Sequence, residues 1–585
     1  GYFGRAASRH ELQIVSCPGP SVDMMAGMRL VVVLTCAVTA SATVSMSNEI
    51  TTLRDYDPAK HKAFRETQGR PWPQPSVYKA VSPQFMALSP ESFHISVLHD
   101  CGCDVIEKAV ERYSKLIFRV PSGKESVFNF HKKDIYEGHL YGDFSGVLQS
   151  LTVDYKGDCE VHPTEDMDEL YSIRVNGPDE ARTARLFSSS IWGVLRGLDT
   201  FAQLVYEDPT TGIQFQINSV MILDYPRFKH RGLMLDTSRH YLSIEMIKTQ
   251  LQLMEHNKLN VFHWHMVDDP SFPYKSQVFP LLSEKGSFNQ RTHIYSHTDI
   301  KDVIEFARLR GIRVLAELDV PGHTESWGAG YPDILTKCFS GDKENGKVGP
   351  LDPSKNTTFE FIQKLLTEVV NLFPEALFHV GGDEVDLNCW QSNPDVKHFV
   401  EDVLNTTDYG KVVTYFMDKV ITINKGLKTP KKLLMWQDVF ENDPNVQKSV
   451  ILHIWKSGWE DLISEITNKD YDVLFSSCWY LNYIQYGVDW QPFYKCDPTS
   501  HLNQTQKQHV LGGEVCMWGE YVDGTNLTPR LWPRASAVAE RLWSALNVTD
   551  INSAASRIHE HRCRLLKWGY QAEPINGPGY CPYDS

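Results

Sequence analysis

Two adjacent carboxylates, Asp383 and Glu384, stand just past Gly381 and Gly382 at the end of a short apolar run containing Leu377, Phe378 and Val380. Glycines at a strand end let backbone or ligand approach closely, and carboxylates just beyond them project from the strand tip. The chemistry such a pair offers is proton transfer: packed together the two repel, and one is expected to keep a proton. The same dipeptide also reads as solvated turn residues or a helix cap. The neighbouring strand ends must decide.

From Arg227 onward, short apolar strands alternate with helical stretches, the pattern of repeated βα units. The expected strands are residues 232–236, 260–267, 313–318, 377–380, 432–436, 450–455, 473–477 and 511–517. Eight of them fit an α/β fold of the (β/α)8 TIM-barrel class. A doubly wound open sheet is the competitor, but no GxGxxG follows the first strand.

Every expected strand ends in polar or aromatic residues: Asp236 and Arg239; His263, His265, Asp268 and Asp269; Glu317, Asp319 and His323; Asp383 and Glu384; Trp436 and Asp438; Trp455; Trp479, Tyr480 and Asn482; Trp518 and Glu520. In a barrel these ends converge on one mouth. Tryptophan faces stack on the apolar faces of sugar rings, while carboxylates, Arg and Asn hydrogen-bond the hydroxyls, so the pocket reads as a carbohydrate site. His263 and His265 share a strand face and could ligate a metal together with Asp319 or Asp383. As strand histidines beside acids they equally serve to hydrogen-bond carboxylates.

The 585-residue chain has ordinary globular composition, a formal charge of -15 and a pI of about 5.8. Without a long Lys/Arg run, this argues against nucleic acid or an anionic membrane as the main partner. Met28 and Arg29 precede an apolar run from Leu30 to Ala40 and the small residues Ser41 and Ala42. That is the layout of a secretory signal peptide, too short for a membrane span. The expected division is residues 1–42 as upstream extension and signal peptide, 43–91 as an extended lead-in, 92–225 as a smaller α/β domain and 226–585 as the barrel. Within the smaller domain, a helix is expected over 107–116, strands over 146–155 and 170–175, and a long amphipathic helix over 178–205. Sequons at Asn356, Asn405, Asn503, Asn526 and Asn547 are candidate glycosylation sites. The cysteines lack CxxC zinc spacing and become disulfide candidates in a secretory setting.

Glycosidases usually place two carboxylates on opposite sides of the scissile bond. Adjacent residues do not straddle a bond in that way, so the pair supplies an acid but no protein nucleophile. One solution is a substrate whose own 2-acetamido oxygen attacks its anomeric carbon. At this point the motifs HVGGDEV with downstream Cys389 and Trp390, DTSRHY, HWHMVDDPSFPY, DVPGHT, GGEVCMWGEYVD and LWPRASAVAERLW closely resemble the β-N-acetylhexosaminidases of glycoside hydrolase family 20, animal lysosomal type. The family is itself an established example of substrate-assisted hydrolysis.

The resemblance runs from about Pro71 to the C-terminus and implies release of terminal β-linked N-acetylglucosamine or N-acetylgalactosamine with retention, without a cofactor or metal. It implies Glu384 as general acid and then base, Asp383 as the group orienting the acetamido, and Tyr480 as donor to its carbonyl oxygen. Arg239 would hold the 3- and 4-hydroxyls, Glu520 the 4- and 6-hydroxyl region and Asn482 the 6-hydroxyl. Trp436, Trp455 and Trp518 would wall the subsite, and Asp268 and His323 would support the pair. It further implies disulfides Cys103–Cys159, Cys338–Cys389 and Cys563–Cys581, with Cys478 and Cys496 as candidates for a fourth. Tyr483 stands where the α-type subunit has an Arg that helps with sulfated sugars, so neutral substrates are expected to be preferred. Residues 340–350 lack the loop the α-type uses with its ganglioside activator. The family implies a homodimer, and lysosomal delivery or secretion. The competing expectation is a carbohydrate-recognition protein on the same fold without turnover.

Overall fold

The computed structural model describes residues 67–98, 102–121, 143–177, 180–208, 211, 213–483 and 485–583. The stretch read from the sequence as a signal peptide lies outside them. The chain divides into the units Gly1–Ala63 and Phe64–Ser585, and all described residues belong to the second.

Its N-terminal part is an eight-stranded mixed sheet. The strands are β1 (Val77–Leu88), β2 (His94–Val97), β3 (Phe144–Leu148), β4 (Ser150–Tyr155), β5 (Tyr171–Gly177), β6 (Glu180–Ser188), β7 (Tyr206–Asp208) and β8 (Ile213–Asp224). Their order is β2-β4-β6-β5-β8-β1-β3, with β7 on β8. Strand β1 falls within the stretch read as an extended lead-in, yet it pairs with both β8 and β3. The run 146–155 breaks at Gln149 into β3 and β4, which pair with different neighbours.

The long helix expected over 178–205 is corrected: Glu180–Ser188 is strand β6, and the helix is only Ile191–Leu204. Ala184, Leu186 and Ser188 are buried while Arg185 is exposed and Phe187 half-buried. That two-residue period is a strand's, and it was obscured by the helix-forming Ala and Arg content. Ser190 caps the helix by accepting from the Trp192 N–H. The whole helix is buried because it lies between the sheet and the barrel.

The barrel is closed and parallel. Its strands are β9 (His230–Asp236), β10 (Val261–His265) and β11 (Arg313–Glu317), then, after an inserted hairpin of β12 (Leu335–Ser340) and β13 (Lys343–Leu351), β14 (Leu377–His379), β15 (Lys432–Trp436), β16 (Ile451–Ile454), β17 (Val473–Phe475) and β18 (Val510–Met517), which returns to β9. Each coincides with one of the eight expected runs to within a few residues.

Along the barrel axis the filling changes character. Val261, Leu315, Leu377, Leu434, Ile451 and Leu474 form an apolar layer. Two residues further along the same strands, His263, Glu317, His379, Trp436 and His453 replace them, all buried. Inward positions recur with period two, so an apolar plug seals one end and polar groups are carried toward the C-terminal end. Between sheet and barrel, Glu169 takes ion pairs from Arg196 at 2.8 Å and Arg231 at 2.6 Å, which offset its burial.

Candidate active site

Strand β14 ends at His379, and the chain then turns through left-handed backbone at Gly381 (φ 67°), Gly382 (φ 101°) and Glu384 (φ 48°). A side chain at Gly381 would collide with the Asp319 carboxyl, so only glycine fits there. Left-handed backbone at Glu384 is a strained choice for a non-glycine residue, held by the surrounding structure at a site of function. The following helix, Leu387–Ser392, is capped by Asp386, which accepts from the N–H groups of Asn388 and Cys389. Capping therefore does not account for Asp383 or Glu384.

The pair divides by environment: Asp383 is 6% exposed, whereas the Glu384 side chain is 36% exposed. His323 Nε2 lies 3.6 Å from Asp383 Oδ2 and 3.7 Å from Glu384 Oε2, and its Nδ1 is 3.1 Å from Asp268 Oδ1. Asp268 also takes His265 Nε2 at 2.7 Å, Arg239 at 2.7 Å and the Asp269 N–H at 2.6 Å. Burial alone would favour a neutral His323, but the carboxylates of Asp268 and Asp383 outweigh it and raise the imidazole well above its usual range. Burial would likewise raise Asp383, but the His323 cation outweighs it and holds Asp383 below the ordinary carboxylate range.

The carboxyl that keeps a proton is Asp319. Burial, reinforced by the Asp383 charge, pushes it well up. It accepts the Gly382 N–H at 3.0 Å through Oδ1. Asp319 Oδ2 and Asp383 Oδ1 have no N–H or hydroxyl donor, and the two side chains hydrogen-bond each other, which requires a proton on one of them. The repulsion expected between Asp383 and Glu384 thus acts between Asp383 and Asp319. Asp319→Asn, whose amide N–H₂ copies the protonated acid, is expected to keep at least about ten times the kcat of Asp319→Ala, which leaves a buried carboxylate without its donor. Equal losses in steady-state assays would remove this role.

The remaining expected residues surround this centre. Trp436 is buried and donates its indole N–H to Glu317 Oε1 at 3.0 Å. Trp455 donates to Asp438 at 2.9 Å and stacks on Tyr480, with ring centres 6.1 Å apart at 22°. The Tyr480 hydroxyl accepts the Trp518 indole N–H, and burial raises its pKa so that it remains a donor. Arg239 lies 5.1 Å over the Trp518 ring. Asn482 Oδ1 is buried without a partner. Glu520 is exposed and reaches Arg239 only through its charge.

Below the mouth, His265 spends both ring nitrogens on carboxylates, Glu317 at 2.5 Å and Asp268 at 2.7 Å. His263 Nδ1 lies 2.7 Å from Glu514, and those charges, working against burial, raise it to about 9. Both histidines hydrogen-bond carboxylates in this arrangement. Asp319 and Glu317 carry more of the site than the sequence revealed. The signal was available as an acid–x–acid pair at a strand end, which puts both carboxyls on the inner face.

The four pairs Cys103–Cys159, Cys338–Cys389, Cys478–Cys496 and Cys563–Cys581 are disulfide-bonded. Cys338–Cys389 ties strand β12 to the helix that follows Glu384. Asn356, Asn405, Asn503 and Asn547 are exposed, whereas the half-buried Asn526 uses its amide to donate to the Tyr521 carbonyl at 3.0 Å and accept from the Asp523 N–H at 3.0 Å.

The chain matches the catalytic domain of glycosyl hydrolase family 20 over residues 228–546 and a beta-acetyl hexosaminidase-like domain over residues 71–204. It is 42% identical over 524 residues to beta-hexosaminidase subunit beta of Homo sapiens, covering 88% of this chain and 90% of that one. To subunit alpha of Rattus norvegicus it is 43% identical over 520 residues, covering 87% and 94%. Among solved structures, a chitobiase of Flavobacterium johnsoniae superposes with a TM-score of 0.71 at 29% identity, over 85% of this chain and 72% of that one. Likeness of this degree through both the N-terminal sheet and the barrel establishes kinship: the chain belongs to glycosyl hydrolase family 20, alongside the animal beta-hexosaminidase subunits.

Proposed function

We propose that the chain is a retaining exo-β-N-acetylhexosaminidase that removes terminal N-acetylglucosamine or N-acetylgalactosamine from glycoconjugates, with the substrate's acetamido group as nucleophile. The observation that carries this reading is the closeness of an acceptor and a donor: Asp383, held ionised by the His323 cation, and the Tyr480 hydroxyl, whose pKa the Asp383 charge helps burial to raise. An amide presents the complementary N–H and C=O. The other buried carboxylates are engaged, Asp268 by Arg239, His265 and His323, and Asp236 by Ser238, Arg239 and Gly519.

In the first step Glu384 gives its proton to the glycosidic oxygen as the C1–O bond breaks, and the acetamido oxygen bonds to C1, forming an oxazolinium ion. Asp383 accepts the hydrogen bond of the amide N–H, whose nitrogen becomes positive. In the second step water attacks C1, Glu384 takes its proton, and the oxazolinium C–O bond breaks to restore the amide. Two inversions at C1 give net retention.

The test is a series of aryl glycosides bearing N-acetyl, N-fluoroacetyl, N-difluoroacetyl and N-trifluoroacetyl groups. Fluorine withdraws electrons from the attacking oxygen, so kcat is expected to fall steeply along the series. A flat series would reject substrate assistance. A 6-sulfated glycoside added to the same assay is expected to be poorer than its neutral parent, because exposed Tyr483 brings no cation.

The pH profile follows from the Asp383–His323 pair. Asp383 is depressed, so its working ionised form exists above that depressed value and is lost as pH falls through it. His323 is raised, so its charge is present at neutral pH and lost only as pH rises through that raised value. His323→Asn removes the cation and is expected to move the acid limb of kcat/KM upward by about 1–3 pH units, the usual effect of one close opposite charge. An unmoved acid limb would show that His323 does not set the Asp383 charge.

Four disulfides suit an oxidising compartment. No helix among the described residues is long and apolar enough to cross a membrane. Delivery through the secretory pathway to the lysosome or outside the cell, as a homodimer, completes the proposal.

A further inference from the structure

The motif around Arg534 takes no part in the chemistry above, yet Arg534 is 5% exposed and reaches directly into the loop that carries Tyr480 and Asn482. This loop is closed by the Cys478–Cys496 disulfide. Its inner edge is tied to β18 by the Leu481 N–H donating to the Cys516 carbonyl and the Cys516 N–H donating to the Trp479 carbonyl, each at 2.9 Å. On the other side, Arg534 Nη1 donates to the Leu481 carbonyl at 3.0 Å and Nη2 to the Tyr483 carbonyl at 3.4 Å. Arg534 Nε pairs with Asp489 Oδ2 at 2.8 Å, and the guanidinium lies 5.5 Å over the Phe493 ring. One side chain thus touches the loop at four residues.

The residue between the two gripped carbonyls is Asn482. Its Oδ1 is buried without a partner, so backbone on either side sets where the amide points. We infer that Arg534 is a positioning residue for sugar recognition: by holding the carbonyls of Leu481 and Tyr483 it fixes the Asn482 amide, and with it Tyr480, at the barrel mouth. A planar five-donor fork can span two carbonyls and a carboxylate at once, whereas an ammonium offers a single point charge. The inference rests on the proposed role of Asn482 for its effect on substrate, but not for the grip itself.

The test uses the full-length protein with Arg534→Lys and two readouts. Hydrogen exchange at Leu481–Tyr483 is expected to accelerate while the barrel strands remain protected. The wild type is expected to prefer an aryl N-acetylglucosaminide over its 6-deoxy counterpart by about tenfold in kcat/KM, the weight of one hydrogen bond to a neutral hydroxyl, and Arg534→Lys to bring that ratio close to one. A merely structural lesion lowers both substrates together and leaves the ratio in place.

Asn482→Ala separates the grip on the loop from the contact with the sugar. It should abolish the 6-hydroxyl preference without accelerating exchange. A wild type that already ignores the 6-hydroxyl would refute the role of Asn482, and the exchange readout alone would then judge the grip. Should Arg534→Lys fail to fold, Asp489→Asn removes the carboxylate that aims the guanidinium and is expected to change both readouts in the same direction by a smaller amount. Unchanged exchange at Leu481–Tyr483 in a folded variant overturns the inference.

Discussion

Glu384→Gln is expected to lower kcat by about 10²–10⁴-fold, the range over which one positioned acid or base acts. The size of the loss depends on the leaving group. Glu384 donates to the glycosidic oxygen, so a substrate whose departing phenol is already acidic needs that proton least and loses least in the first step. A series of aryl glycosides graded by phenol pKa should therefore give a steeper dependence in the variant than in the wild type. Intact-protein mass spectrometry during turnover should find no sugar bound to the protein. An ester on Asp383 would assign the nucleophile to the enzyme and refute the mechanism.

Asp383→Asn is expected to lower kcat by about 10²–10³-fold, comparable to removing one preorganised group that faces developing charge. Its signature differs from that of Glu384. Asp383 acts on the acetamido nitrogen, so the loss should be the same for good and poor leaving groups. The substitution also removes the smaller of the two causes that raise Asp319, whose burial remains and whose Oδ1 stays committed to the Gly382 N–H, so Asp319 should not take over the lost role. A leaving-group dependence as steep as that of Glu384→Gln would show that the two residues do not divide the work.

Much of this was legible before folding because a parallel barrel writes its site into the ends of its strands. Each barrel strand is a short apolar run, and the residues that change from apolar to polar mark the mouth. The pattern fails where one segment carries two signals: residues 180–204 hold a strand and a helix in succession, and the Ala and Arg of β6 favour the helical reading of both. Protonation was not legible either. Which carboxyl shares a proton with Asp383 depends on the turn at Gly381, which leaves room for Asp319 and for no side chain of its own. The grip of Arg534 joins positions some fifty residues apart, through backbone carbonyls that have no sequence signature.

Two of the four disulfides fall on the loops that carry the chemistry, one beside the Glu384 turn and one around Tyr480, while the barrel's apolar layers close without them. Maturation of this enzyme should therefore be separable into two milestones. A newly made chain should reach a barrel that passes for native by size and circular dichroism before its catalytic loops are locked. Specific activity then becomes a gauge of oxidative maturation rather than of folding. Protein prepared in a reducing cytoplasm should come out soluble but poorly active, and gain turnover on controlled oxidation with little change in its secondary structure.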